Sequence, residues 1–339
     1  MKLAIHHRKD SFSDRWISYC EKNHIDFKLV NCYDNNIITQ LKDCDALLWH
    51  FHHHNYKDSI FAKGLFFSLE QSGMKVFPDF NTAWHFDDKI GQKYLLETLG
   101  MPLVPTFVFY DKSTAIDWAR KTTFPKVFKL SGGAGGQNVR LIKNYNDCER
   151  IISKCFSNGF SQNDPWYRLK DRFNKFKHGK ASLKELLIGF LKIFIKNDFE
   201  KLSTKEKGYA YFQEFIPNNT FDIRVVVVGN KAFGLKRNTR PNDFRASGSG
   251  SIIYDSRAID IRCVEMAFKV NEKIKSQSIA FDFVFDKNDN PLIIEISYGY
   301  SVVAYDDCPG YWLSDLTWID DSFKPQEWMI ENLIKSINA

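Results

Sequence analysis

Cysteine is sparse in this 339-residue chain: seven in all, at Cys20, Cys32, Cys44, Cys148, Cys155, Cys263 and Cys308, odd in number and never spaced C-x-x-C. That scatter excludes a disulfide framework or a zinc-ribbon pattern and fits reduced thiols in a cytoplasmic protein. Long apolar runs are also missing. The most apolar window, Leu183 to Ile195, is broken by Lys184, Glu185 and Lys192, short of the roughly 20 apolar residues of a membrane span. The start, Met1 to Arg8, is too short and too soon charged for a signal peptide. No G-x-G-x-x-G follows the first apolar run, and no Gly-Lys-Ser/Thr closes a glycine loop. A dinucleotide fingerprint and a P-loop are thereby disfavoured. Charge excess is small, +6, which suits an anionic small ligand without demanding nucleic acid.

What is present is a well-stocked core: 44% hydrophobic residues and thirty Phe, enough for two or three domains and contrary to disorder. Residues 1–80 read as alternating short strands and helices, a βαβαβ order that implies a small parallel sheet. Residues 81–160 carry a helix from Lys89, strands at Val104–Phe109 and Lys126–Leu130, and an antiparallel return at Val139–Ile142. Residues 161–207 change character, rich in Lys and Arg with helical spacing, and read as a helical insertion whose basic face is solvated surface. Residues 208–339 are mostly antiparallel, with hairpins at Phe221–Arg237, turning on Gly229-Asn230, and at Ile279–Ser297. A helix is expected over Arg257–Lys275; the tail from Tyr298 through Trp312 matches no pattern.

Two stretches carry chemistry. Lys129 ends a strand that runs into Ser131-Gly132-Gly133-Ala134-Gly135-Gly136. Four glycines in five positions exceed the needs of a hairpin turn. They let backbone N–H groups close on an anion beside a lysine. Downstream, Asp282 and Glu295 lie on the two strands of one hairpin, each flanked by large apolar residues. Their carboxylates then share the non-core face, where like charges repel unless a cation such as Mg²⁺ lies between them. Gln213-Glu214-Phe215-Ile216-Pro217 ends a strand where backbone groups can pair with an adenine edge. Arg224, Lys236 and Arg237 sit on the following hairpin and are expected to face a phosphate tail across a polar cleft. His50, His52 and His54 would share a face if their strand continued; acceptor binding is the preferred role for them over metal.

In this order the motifs resemble the ATP-grasp superfamily, most closely its RimK-type and glutathione-synthetase-like branch: Asp87-Asp88-Lys89, the lysine and glycine loop, Q-E-F-I-P, D-I-R, K-R, Asp243-Phe244-Arg245, and D…E on the last hairpin. The resemblance covers about residues 80 to 300. It implies an α/β and α+β architecture, two α+β subdomains clasping ATP after a small parallel α/β domain. By the same resemblance Lys89, Lys129, Gly132, Gly133, Gly135 and Gly136 contact phosphates, Glu214, Phe215 and Ile216 form the adenine hinge, and Asp222 takes a ribose or nearby polar position. Arg224, Lys236 and Arg245 are the catalytic cations, and Asp282 and Glu295 the Mg²⁺ carboxylates. Ser297 stands where the family has Asn, so its hydroxyl is the third expected ligand. The implied activity is ATP-dependent ligation of a carboxylate to an amine through an acyl phosphate. Kinase-like phosphoryl transfer and an ATP-binding regulatory module remain as alternatives, a homodimer stays open, and nucleic acid is not expected.

Overall fold

The computed structural model describes residues 1–162 except 54, 134, 135 and 137, and residues 204–339 except 241, 242 and 249; between 163 and 203 only isolated positions are described. The helical insertion expected there, together with Gly135 and His54, lies largely or wholly outside the described residues. Two compact units emerge. One gathers Met1–Phe86, Tyr94–Leu103 and Ile216–Ala339; the other gathers Asp87–Lys93 and Val104–Phe215.

In the first unit, β1 (Lys2–His6), β2 (Asp26–Val30), β3 (Ala46–Trp49) and β4 (Lys75–Phe77) form an all-parallel sheet in the order β2-β1-β3-β4. Leu3, Ala4, Ile5 and the whole of Ala46–Trp49 are buried, as parallel strands covered on both faces must be. Helices α1 (Phe12–Lys22), α2 (Ile37–Gln40) and α3 (Tyr56–Gln71) connect them, and α4 (Phe80–Ala83) follows β4. Asn55 and Ser11 start α3 and α1 by accepting the N–H groups of Lys57 and Ser13. Alternation divides the sheet's two faces: Ala4, Leu47, Trp49 and Val76 pack on Ile37, Ala62, Phe66 and Leu69, while Leu3, Ile5, Leu48 and Phe77 pack on Phe12 and Trp16.

Helix α5 (Lys89–Thr98) precedes the second unit's sheet. That sheet comprises β5 (Thr106–Phe109), β6 (Lys126–Lys129), β7 (Arg140–Ile142) and β8 (Ala210–Glu214), with helices α6 (Lys112–Lys121) and α7 (Tyr145–Cys155). The order is β5-β8-β6-β7, every pair antiparallel. Phe128, Phe212 and Ala210 point to the core with Ala115, Ala119, Cys148 and Ile152. The other face is left to Val127, Lys129, Tyr211 and Gln213.

The larger sheet returns in the first unit: β9 (Phe221–Val228), β10 (Lys231–Asn238), β11 (Ile252–Ile253), β12 (Ser278–Phe285), β13 (Pro291–Ser297), β14 (Tyr311–Leu313) and β15 (Trp318–Ile319). Its order is β13-β12-β9-β10-β14-β15, with β11 on β10. Gly229, at φ +58°, makes the β9–β10 turn. Helix α8 (Ile261–Ile274) covers one face with Val264, Ala267 and Val270 against Ile223, Val225 and Phe281. It begins four residues later than the sequence suggests, because the Asp260 carboxylate caps it by accepting the Arg262 N–H at 2.9 Å. The unplaced tail runs into β14, paired to β10; beyond it comes α9 (Pro325–Asn338), whose Trp328, Met329, Ile330 and Leu333 enter the core with Phe12 and Trp16. No described helix is long and apolar enough to cross a membrane.

Candidate active site

In the second unit the lysine at the end of β6 faces away from the core, as alternation requires. Lys129 Nζ donates to Gln213 Oε1 at 2.7 Å, and Gln213 Nε2 in turn donates to Thr106 Oγ1 at 3.1 Å. Sequence reasoning did not assign Gln213, although its parity on β8 places it on the same face as Lys129. Glu214 turns the other way. It ion-pairs with the buried Lys126 at 2.7 Å, and the two residues are directly opposite in register. The acid at the expected adenine hinge therefore anchors the strand end through its side chain.

The glycine loop closes on carboxylates of its own unit. Lys89 Nζ donates to Gly133 O at 2.8 Å, and the Gly133 N–H donates to Asp87 Oδ1 at 2.7 Å. The Ser131 hydroxyl donates to Asp88 Oδ1 at 2.9 Å. The N–H of Ser131 donates to Glu206 Oε2 at 3.0 Å and that of Gly132 to Glu206 Oε1 at 3.3 Å. Backbone amides of the loop thus gather on carboxylates of the same unit. Gly133 sits at φ +94°, a conformation that favours glycine. A Cβ at Gly132 would clash with Gln162 Nε2. Glu206 carries no motif and lies 75 positions from Ser131, so nothing in the sequence marks it.

In the first unit, register assembles a row of charge. Glu295 faces Asp282 across β13–β12, and Asp282 faces Arg224 across β12–β9. Arg224 grips Asp282 with two parallel hydrogen bonds, Nε to Oδ1 at 2.5 Å and Nη2 to Oδ2 at 2.6 Å. Arg237 grips Asp222 the same way, both at 2.7 Å, and its Nη2 lies 3.0 Å from Asp282 Oδ1. Burial raises the Asp282 pKa, but the two guanidiniums outweigh it and hold this carboxyl well below the usual range. For Asp222 burial wins over Arg237, and the pKa goes up.

Two expectations need correction. Lys236 does not share the Arg224 face: it stands opposite Ile223, its Nζ 3.7 Å from the Phe221 ring centroid, while Leu235 stands opposite Arg224. Side chains alternate along a strand, so the neighbour Arg237 takes the position expected of Lys236. Nor do Arg224 and Asp282 line an open polar face, with side chains only 22% and 12% exposed. Asp222 commits both oxygens to Arg237, which makes it an anchor for that cation. Arg245 forks onto Asp243 within its own loop, Nε lying 2.9 Å from Oδ1.

As a magnesium site, Asp282, Glu295 and Ser297 supply hard oxygen donors on one sheet face. Ser297 Oγ donates its hydrogen to Gly299 O at 2.9 Å, leaving the oxygen lone pairs available to a cation. Among the described residues no three His, Cys, Asp or Glu side chains gather as a metal set; two carboxylates and a hydroxyl are an incomplete octahedron that phosphate oxygens and water would fill. The donor atoms are of the type Mg²⁺ takes, and both Asp282 oxygens are bonded to Arg224 here. The histidine cluster is not a continued strand, since β3 stops at Trp49 and His50 instead stacks on Phe12, ring centroids 3.7 Å apart and planes within 4°.

Comparison with known proteins gives a consistent result. Residues 191–304 match the RimK-like ATP-grasp domain. Over 233 residues, 68% of this chain and 68% of its relative, the sequence is 25% identical to the alpha-aminoadipate–LysW ligase LysX of Saccharolobus solfataricus. Among solved structures, a RimK domain ATP-grasp protein from Sphaerobacter thermophilus superposes with TM-score 0.57 at 13% identity, covering 99% of this chain and 100% of the other. D-alanine–D-alanine ligase from Bacillus anthracis gives TM-score 0.58 at 14% identity, covering 100% and 99%.

Proposed function

Because the chain carries a RimK-like ATP-grasp domain within an ATP-grasp fold, we propose that it is an ATP-dependent ligase. It joins a carboxylate to an amine. The carboxylate oxygen attacks the γ-phosphorus of ATP and ADP leaves. The amine then attacks the acyl carbon of the acyl phosphate, phosphate leaves, and the amine gives up a proton. The observation that carries this reading is the row Glu295–Asp282–Arg224, joined by Arg237, on one sheet face.

In this reading Arg224 and Arg237 neutralise charge on the transferring phosphoryl group, their forks held in place by Asp282 and Asp222 before any substrate arrives. Lys129, oriented by Gln213, and Lys89, bonded to the loop carbonyl, hold phosphate oxygens. The amides of Ser131, Gly132 and Gly133 exchange their carboxylate partners for phosphate, and the loop shields the acyl phosphate from water. Glu214, Phe215 and Ile216 meet the adenine, and Arg245 waits on the substrate side. Asp282, Glu295 and Ser297 would hold Mg²⁺, whose charge would offset that of the phosphate oxygens. The cytoplasm is the proposed location, where the seven free cysteines stay reduced.

The test is release of ADP and phosphate from ATP and Mg²⁺ that depends on adding both a carboxylate and an amine, with the amide identified by mass. A phosphorylated product without an amide would move the reading to simple phosphoryl transfer. Absence of ATP binding by calorimetry would end it.

A further inference from the structure

The outward faces of α7 and α8 carry charge: α7 exposes Arg150 and Lys154, and α8 exposes Glu265, Lys269 and Glu272. Helix α3 differs. Its inward face packs through Ala62, Phe66 and Leu69, yet its outward face presents Ile60, 64% exposed, and Phe67, 47% exposed. Gly64 and Gln71 complete the stripe, at helical spacing of four, three and four residues. An apolar surface on both sides of a helix calls for cover on both. The polar side chains beside the stripe are turned back onto their own chain. The Ser68 hydroxyl donates to Gly64 O at 2.8 Å and the Ser59 hydroxyl to Asn55 O at 3.3 Å. Lys63 Nζ donates to Phe86 O at 3.0 Å, and Glu70 Oε2 accepts the Phe80 N–H at 2.6 Å.

Gly64 sits mid-helix, where glycine is destabilising relative to alanine. Its own fold does not require it, since a Cβ at that position would meet no atom within 4 Å. A glycine that weakens its helix and relieves no contact inside the chain suits the close approach of another backbone. Beside this hole stands a fixed knob: the Phe67 ring leans on Phe80, centroids 5.2 Å apart. Knob and hole share one stripe, so the surface that fits α3 is a second α3. A two-fold axis between positions 64 and 67, running the helices antiparallel, seats Phe67 of each copy over Gly64 of the other and Ile60 beside Gln71. The same axis matches charge. Lys63 and Glu70 lie on one flank of the stripe, and Lys63 of each copy then stands within about 3 Å, along the helix direction, of Glu70 of the other. Opposite charges flank the seam twice, as in antiparallel coiled coils.

We propose that α3 is a homodimer interface, through which two copies of this chain pair antiparallel across Gly64 and Phe67. The inference stands apart from the ligase reading and holds or fails without it. A seam of one 16-residue helix is about 24 Å long. That is less than a standard interface, so the dissociation constant should lie at about 1–100 μM.

The experiment is sedimentation equilibrium of the full chain across that concentration range, where the wild type should pass from monomer to dimer. Gly64→Gln has open space around it in the single chain, so at dilution it should melt no lower than the wild type. In the dimer it fills the hole that Phe67 needs, and should weaken association by about tenfold or more. Orientation is read by disulfide cross-linking in a Cys44→Ser background, which removes the one cysteine that is not buried. A mixture of Ile60→Cys and Gln71→Cys chains should form covalent heterodimers on oxidation. Either variant alone should not, because its two thiols would stand about 16 Å apart along the seam, beyond disulfide reach. A chain that stays monomeric throughout, a dimer that Gly64→Gln leaves unchanged, or a single variant that links to itself as readily as the mixture overturns the proposal.

Discussion

Arg237 and Asp282 lie 3.0 Å apart, Nη2 to Oδ1, and that contact joins two forked pairs into one chain of alternating charge, Asp222–Arg237–Asp282–Arg224. Each carboxylate is compensated only as long as its neighbours stay. Removing one member leaves a buried charge without its partner, which costs about 3–5 kcal/mol. Arg237→Ala should therefore lower stability by that order and abolish turnover together. Urea denaturation and ADP release measured on one preparation check both. Arg237→Lys should keep part of the stability but little of the activity, because an ammonium cannot reproduce the fork.

Lys129→Ala should weaken ATP binding by about 1.5–3 kcal/mol, the range for hydrogen bonds to charged groups. Glu206→Gln should act in the opposite direction. Its carboxylate occupies the amides of Ser131 and Gly132, so phosphate has to displace it, and removing that charge should strengthen ATP binding by about 1 kcal/mol. Calorimetry with ATP reads both signs. Unchanged affinity in both variants would remove the loop from the nucleotide site.

Glu295→Gln should abolish ADP formation while the protein stays folded, since Asp282 keeps Arg224 and Arg237. Asp282→Asn should do more, loosening both arginines and lowering thermal stability as well. Ser297→Asn should be tolerated, because an amide oxygen replaces a hydroxyl of the same ligand type. Mg²⁺ titrations in the presence and absence of ATP complete the test: tight Mg²⁺ binding without nucleotide would contradict an octahedron completed by phosphate.

Stability should fall on mild acidification because of the parallel sheet. His6 is buried, accepts the Cys32 N–H at Nδ1 (2.9 Å), and burial followed by the Arg8 charge lowers its pKa from 6.5 to about 4. Between those values the unfolded chain binds a proton that the folded chain refuses, so stability rises with pH through this window and declines on the way down. The loss from pH 7 to pH 4.5 should be on the order of 1–3 kcal/mol. A melting series should show that slope in the wild type and a flatter one in His6→Gln.

The parts legible in the sequence are those set by local pattern. The alternating strand–helix order of residues 1–80 announced a parallel sheet, and Gly229-Asn230 announced a hairpin. The opposition of Asp282 and Glu295 followed from their shared hairpin. What stayed hidden depends on pairing between distant strands. That β12 lies against β9, placing Arg224 on Asp282 58 positions away, has no local signal. Lys126 meets Glu214 across 88 positions for the same reason. Lys236 was misplaced by a single residue of parity, which is all that separates the two faces of a strand. The three-residue β14 is too short to show a period at all.

Helix α9 also bears on how the chain comes off the ribosome. Phe12 and Trp16 share their core with Trp328 and Leu333, and Arg15 meets Gln326 across 311 positions of sequence. Synthesis at about 5–20 residues per second puts roughly 15–60 s between the emergence of α1 and of α9. For that interval the cluster of Phe12 and Trp16 on one side of the nascent parallel sheet lacks the cover that Trp328, Met329, Ile330 and Leu333 supply. It must be sheltered by whatever surrounds the growing polypeptide, so a clipped α9 would strand the amino-terminal sheet in its most aggregation-prone form.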